Sequence, residues 1–205
     1  LDDDLGLLER FKAGDAGAFD ELMQKHYKAV LNLIYRFTGV RGEEAEDLAQ
    51  EVFLRIYRAA PRFEARARFF TYLYKVTMNL CLKERQRWSR RKTVSLDAVS
   101  DDNAPSAALR NLADTGPSLQ DSYERGEMAE AIRRAVMELP EDQRQAVILH
   151  RYHDLSYEEI TEVLGISLPA VKSRLHRAKL ALQRRLQDLL APPGPAQRQR
   201  EVSGN

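Results

Sequence analysis

Residues 156–177 read SYEEITEVLGISLPAVKSRLHR, and the reading of this stretch decides the fold. Ser156 with Glu159 three residues later forms a capping box, in which hydroxyl and carboxylate each satisfy a backbone N–H at a helix start. The helix it opens is expected to end at Gly165. Gly165, Ile166 and Ser167 make a three-residue turn, Ser167 caps the next helix, and Pro169 sits in that helix's first turn, where a missing N–H costs nothing. Ile160, Val163, Leu164, Ile166, Val171 and Leu175 supply an internal core, so the stretch is a helix-turn-helix. Its second helix presents Lys172, Ser173, Arg174, His176, Arg177 and Lys179 without an acid, which suits an α-helix entering the major groove of DNA.

Working outward, apolar residues keep helical spacing. Met128, Ile132, Ala135, Val136 and Leu139 predict one helix stopped by Pro140, and Glu141 to Tyr152 another around Ala146, Val147 and Leu149. His153 and Asp154 form a turn. Far upstream, Phe19, Leu22, Met23, Val30, Leu33, Ile34 and Phe37 predict a helix broken by Gly39 and Gly42. Ala45, Leu48, Ala49, Val52, Phe53, Ile56, Tyr57 and Ala60 form one stripe that stops at Pro61, with Glu46, Asp47, Gln50, Glu51 and Arg55 opposite. A third helix from Arg66 to Trp88 buries Phe69, Leu73, Val76, Leu80 and Cys81. No strand pattern and no internal repeat is found, so the chain reads as all-α.

The 205 residues suffice for one large or two small domains, and the net charge of +1 by itself favours no partner. Its distribution is more telling. Residues 61–92 carry ten basic and two acidic side chains and residues 168–185 carry six and none, each block following an acidic stretch. Two compact basic blocks inside helical patterns point to two separate contacts with a polyanion. In the first block cations alternate with aromatic rings, a combination suited to single-stranded DNA, whose bases offer π-faces and whose backbone offers charge. Residues 93–127 hold seven acidic and two basic residues with Pro105 and Pro117 and no sustained period, which reads as a flexible acidic linker. The organisation expected is a first domain over 1–92, a linker over 93–127, a second domain over 128–190 and a disordered tail over 191–205.

One cysteine, Cys81, excludes an internal disulfide. The absence of a long apolar run and the acidic opening Asp2 to Asp4 point to the cytoplasm. An enzyme is not expected. His26, His150, His153 and His176 lack a third ligand at regular spacing, and the chain shows no Gly-rich phosphate loop, nucleophile motif or HExxH, so neither metal nor cofactor is anticipated.

The run LPEDQRQAVILHRYHDLSYEEITEVLGISLPAVKSRLHRAKLAL, with DLAQEVFLRIYRA and FFTYLYKVTMNLCLKERQRWSRRK upstream, resembles the extracytoplasmic-function (ECF) sigma factors of bacterial RNA polymerase. The resemblance covers about residues 10–190. It implies two small helical domains, sigma region 2 and the helix-turn-helix region 4. It also implies a transcription initiation factor that brings core polymerase to promoters and helps melt them. The helix with Asp47, Gln50 and Glu51 then looks like the segment docking on the clamp helices of the largest catalytic subunit. Pro61 to Phe70 resembles the loop that takes a flipped base of the −10 element, which assigns −10 DNA to Arg62, Phe63, Arg66, Tyr72, Lys75 and Asn79. Lys172, Ser173, Arg174, His176 and Arg177 fall on the −35 reading helix. Pro169 and Ala170 stand where many members have Gly and Thr, a departure that bears on the −35 sequence preferred.

The partners implied are core RNA polymerase, promoter DNA and an anti-sigma factor, which could hold the chain at the inner membrane face, with no small-molecule substrate. A dimeric helix-turn-helix repressor or activator is the alternative, and it leaves the basic aromatic block at 61–92 unexplained. The family's promoter elements, centred roughly 23 base pairs apart, lie about 80 Å apart. A relaxed chain of 35 residues spans about 30–35 Å. The free protein is therefore expected to hold no fixed distance between its domains, and core polymerase to impose one.

Overall fold

The computed structural model describes residues 3–63, 68–94 and 119–190, and every regular element in them is helical. The first domain comprises α1 (Asp3–Lys12), α2 (Ala16–Thr38), α3 (Glu43–Ala59), a 3-10 turn (Ala60–Arg62) and α4 (Phe69–Val94). Leu22, Val30, Leu33, Ile34 and Phe37 of α2 are all essentially inaccessible. Full burial of each side chain of this kind contributes about 1.5–3 kcal/mol relative to exposure. The helix stops where expected. Gly39 takes φ 82°, the left-handed conformation that only glycine adopts cheaply, and its N–H donates to the Tyr35 carbonyl at 2.8 Å. On α3, Ala45, Ala49, Val52, Phe53 and Ile56 are buried as the stripe predicts. Tyr57 departs from it: 48% of its surface is exposed, because it lies at the edge of the stripe and packs sideways on Phe11 and Phe19.

Helix α1 was not anticipated. It is fastened by Leu7 and Leu8 in the core and by the buried Asp4 carboxylate, which meets Lys25 Nζ at 2.7 Å and His26 Nε2 at 2.9 Å.

The second domain comprises α5 (Leu119–Met137), α6 (Glu141–Tyr152), α7 (Tyr157–Leu164) and α8 (Leu168–Leu190). Helix α6 has the expected bounds, but six consecutive residues, Arg144 to Leu149, are buried. A helix buried all round packs against more than its own domain. Met128, expected in the inner stripe of α5, is 38% exposed. The stretch anticipated as linker is helical from Leu119 onward, and residues 95–118 and 191–205 lie outside the described residues.

The two domains are in contact, which overturns the expectation that the free chain keeps no fixed separation. Helix α4 packs on α7, and α2 packs on α5 and α6. Two guanidiniums, Arg85 of α4 and Arg144 of α6, donate to the same Phe37 carbonyl at 3.3 Å each. That carbonyl is among the last four of α2, which lack intrahelical partners and carry the negative end of the helix dipole. Arg36 lies 3.8 Å from the centroid of the Tyr152 ring, Tyr74 meets His153, and Arg68 meets Glu159.

Candidate nucleic-acid interface

The helix-turn-helix forms as its sequence dictates. The Ser156 hydroxyl accepts from the Glu159 N–H at 3.1 Å, and one oxygen of Glu159 accepts from the Ser156 N–H at 2.8 Å. Gly165 ends α7 at φ 65°, and Ile160, Val163, Val171 and Ala178 are buried between the helices. Thr161 turns its hydroxyl onto the Glu158 carbonyl at 2.6 Å and needs no other partner. On α8 the sequence-predicted readers separate into two groups. Lys172, Ser173, His176 and Arg177 are exposed and share one stripe. Arg174 does not join them. Its side chain is 23% exposed and its Nε lies 3.6 Å from Asp142 Oδ2 of α6, so it ties the reading helix to the domain beneath. The remaining stripe presents cations and a hydroxyl, none of them in an ion pair among the described residues, and can donate to phosphates and to base edges alike.

The second candidate surface lies on α4 and the turn before it. Tyr72, Lys75 and Asn79 are spaced three and four apart on one face; Lys75 and Asn79 are exposed and Tyr72 is half-buried. The Phe63 ring sits 5.1 Å from Tyr72 and 6.1 Å from Phe69, and Lys12 Nζ donates to the Phe63 carbonyl, which holds the turn against α1. Arg62 is exposed beside it, whereas Arg66 lies outside the described residues. Phe69 and Tyr74 belong to the core, at 1% and 8% exposure. Trp88 is half-buried. Arg68 escaped notice as a separate feature: its Nη1 meets Glu159 Oε1 of the second domain at 3.1 Å. Helix α4 thus has three faces: Phe69, Leu73 and Leu80 inward, Phe70, Tyr74 and Thr77 on the opposite side from the solvent-facing stripe, and Tyr72, Lys75 and Asn79 outward.

The acidic face of α3 is a third surface. Asp47 and Gln50 are exposed. Glu51 is half-buried and pairs with Arg55, one turn on along the same face, at 2.7 Å. Leu54 and Tyr57, 41% and 48% exposed, lie along the same stripe as Asp47, Gln50 and Glu51. Sequence reasoning missed them as surface groups. For Leu54 the signal was present, since it falls off the apolar stripe that runs through Val52, Phe53 and Ile56.

The histidines do not converge. His26 pairs with Asp4, His150 Nδ1 lies 3.0 Å from the Leu155 carbonyl, His153 Nδ1 lies 3.2 Å from the Tyr74 hydroxyl, and His176 is exposed on α8. Burial and the nearby Arg36 charge push His153 down to about 4, with Asp154 pulling weakly the other way. Burial pushes the Cys81 thiol up to about 12, so it stays protonated and unreactive. Among the described residues no helix is long and apolar enough to cross a membrane.

Comparison with known proteins follows the same division. The family model described as Sigma-70 region 2 matches residues 22–91, and that described as Sigma-70, region 4 matches residues 129–182. The RNA polymerase sigma-H factor of Pseudomonas aeruginosa is 35% identical over 187 residues, covering 91% of this chain and 95% of that protein. The ECF RNA polymerase sigma-E factor of Escherichia coli is 31% identical over 185 residues, covering 90% and 94%. Among solved structures, CnrH in complex with the cytosolic domain of CnrY has the same fold, with a TM-score of 0.64 at 21% identity over 93% of this chain and 100% of that one.

Proposed function

Because this chain belongs to the extracytoplasmic-function sigma factors of the sigma-70 family, we propose that its three surfaces divide the work of promoter-specific initiation among named residues. Region 4 reads the −35 element through Lys172, Ser173, His176 and Arg177, with Arg174 holding the helix at its angle from behind. Region 2 takes the −10 element on Arg62, Phe63, Arg66, Tyr72, Lys75 and Asn79, where a ring cluster receives unpaired bases and the cations receive their phosphates. Asp47, Gln50, Glu51, Leu54 and Tyr57 dock on the clamp helices of the largest polymerase subunit. An apolar pair flanked by carboxylates suits such docking, since the rings and Leu54 supply burial and the charges set orientation.

The observation that carries this reading is the exposure of Lys75 and Asn79 on the ring-and-cation face of α4 and of Lys172, Ser173, His176 and Arg177 on α8, the second helix of a helix-turn-helix. Phosphate contacts supply affinity and base contacts supply choice. The factor performs no bond chemistry itself. It works in the cytoplasm, with region 2 over about 1–92 and region 4 over about 128–190, and an anti-sigma factor that covers it can hold it at the inner membrane face. A dimeric repressor is the less favoured reading, because such a protein has no use for the face of Tyr72, Lys75 and Asn79.

Run-off transcription with core polymerase on a library of genomic promoter fragments tests the proposal. Initiation dependent on the added protein, at sites sharing a −35 and a −10 sequence, is the expected result. DNA binding by the protein alone that core enzyme does not alter, with no transcript, would favour the repressor.

A further inference from the structure

Away from the seam between the two domains, we propose that α1 is a splint for the turn that takes the flipped −10 base, with Lys12 a positioning residue that fixes the Phe63 ring before that base arrives. This role rests on the reading above, that region 2 takes unpaired −10 bases on Phe63 and Tyr72.

The backbone of Phe63 is held at both of its polar groups. Its N–H donates to the Ala60 carbonyl at 3.1 Å, which closes the 3-10 turn, and its own carbonyl accepts from Lys12 Nζ at 2.5 Å, across 51 positions of sequence. With both groups engaged, Phe63 is set at φ −67° and ψ 122°, and its ring packs against Tyr72. A lysine in the last turn of a helix already complements the helix dipole. Lys12 goes further: it ends α1, yet its ammonium reaches away from the last carbonyls of α1 to a carbonyl of the turn. The opposite end of α1 backs the same ring cluster. The buried Asp4 carboxylate meets His26 Nε2 at 2.9 Å, the His26 ring lies 5.6 Å from that of Phe69, and Phe69 in turn lies 6.1 Å from Phe63. Between these two ends α1 packs directly on the 3-10 turn and on α4.

The stability of the fold makes little call on Lys12. Its side chain is exposed, and α1 is fastened by Leu7, Leu8 and Asp4 without it. What the bond supplies is order. A turn ending on an unheld carbonyl would give up backbone freedom as it closed on a base, and that entropy would be subtracted from the stacking. Held in advance, Phe63 and Tyr72 present a formed pair of rings with centroids 5.1 Å apart. A direct bond from Lys12 to a DNA phosphate is the competing role for this cation. The two roles differ in what they act on. A phosphate contact strengthens binding whatever base is present, whereas a positioning residue matters only where a base is captured.

Lys12→Met keeps the length of the side chain and removes the donor, and Lys12→Arg restores one. Each full-length variant is assembled with core polymerase and titrated with the non-template −10 single strand of a promoter found by run-off transcription, intact or with each −10 base in turn replaced by an abasic site. Stacking of one base on aromatic rings is worth about fivefold to a hundredfold in affinity. The parent should lose affinity of that order at the captured position. Lys12→Met should bind the intact strand about fivefold or more weakly, yet bind the strand abasic at the captured position as the parent does. It should keep the parent's salt dependence, melting temperature and core affinity, and Lys12→Arg should return to the parent. A loss that vanishes with the base is not what damage to the fold produces. Equal losses on intact and abasic strands, with a shallower salt dependence, would make Lys12 a phosphate contact and overturn the proposal. A Lys12→Met protein that discriminates the abasic strand as well as the parent does also overturns it. A parent that binds every strand alike overturns the reading of the turn itself, whatever Lys12 does.

Discussion

Acidification should open the seam, and His153 sets the range. The imidazole is enclosed by Arg36 of α2, Tyr74 of α4 and its own neighbours Tyr152 and Asp154, and in the closed chain it titrates at about 4 instead of its ordinary 6.5. The closed form takes up its proton less readily than an open form with a solvated ring, so protons favour opening. The contribution to closure is complete above pH 6.5 and is withdrawn as pH falls toward 4. Linkage between those two values weakens closure by about 0.8 kcal/mol at pH 6, about 2 kcal/mol at pH 5 and about 3 kcal/mol at pH 4, relative to the deprotonated chain. The distance between labels at positions 58 and 180, followed from pH 7.5 to 4.5 at fixed ionic strength, should lengthen over this window. His153→Phe keeps a ring against Tyr74 and removes the titration, so its profile should be flat over this window. Superimposable profiles for the parent and His153→Phe would refute the argument.

Three further outcomes follow from the geometry. Ser156→Ala should lower the thermal stability of the second domain by about 1 kcal/mol, whereas Glu159→Gln should leave the cap nearly intact, since an amide oxygen can still accept from the Ser156 N–H; calorimetry on the full chain distinguishes the two. Lys172→Ala should cost about 1–3 kcal/mol on promoters whose −35 base it contacts and relax choice at that position, while Asp142→Asn should weaken all −35 sequences alike by loosening Arg174; competition binding with single-base variants separates these patterns. Asp47→Lys and Leu54→Glu should weaken binding to core polymerase without shifting the melting temperature, because both side chains are exposed and the packing stripe of α3 is untouched; unchanged affinity in both would remove this face from the docking surface.

Much of the fold was legible because its determinants are local. Caps, turns and stripes act over three to seven residues, and the bounds of α6, the capping box at Ser156 and the left-handed glycines at 39 and 165 follow from residues next to one another. Helix α1 was not legible, because ten residues opening on two acids become a stable helix only through Leu7, Leu8 and the Asp4 pairs with residues more than twenty positions away. Exposure at stripe edges, as for Tyr57 and Met128, depends on what else approaches that face and has no signature in spacing alone.

The candidate site divides in the same way. That α8 presents cations and α4 interleaves cations with rings is written in the sequence, since residue types at helical spacing define a face wherever the helix goes. Which cation is free is not: Arg174 looks identical to Lys172 in one dimension and is withdrawn by a carboxylate on α6. The seam is the extreme case. Its contacts join residues from more than 50 to more than 100 positions apart, such as Arg85 with Glu141 and Arg144 with Phe37, and each depends on two finished domains meeting. No periodicity foretells that meeting, because an arginine bound for a distant helix terminus has the same local pattern as one bound for water. The sequence by itself determined helices, caps, a helix-turn-helix and two basic faces; only the tertiary structure decided that the domains meet, since that meeting joins residues such as Arg144 and Phe37 that lie more than 100 positions apart and share no local pattern.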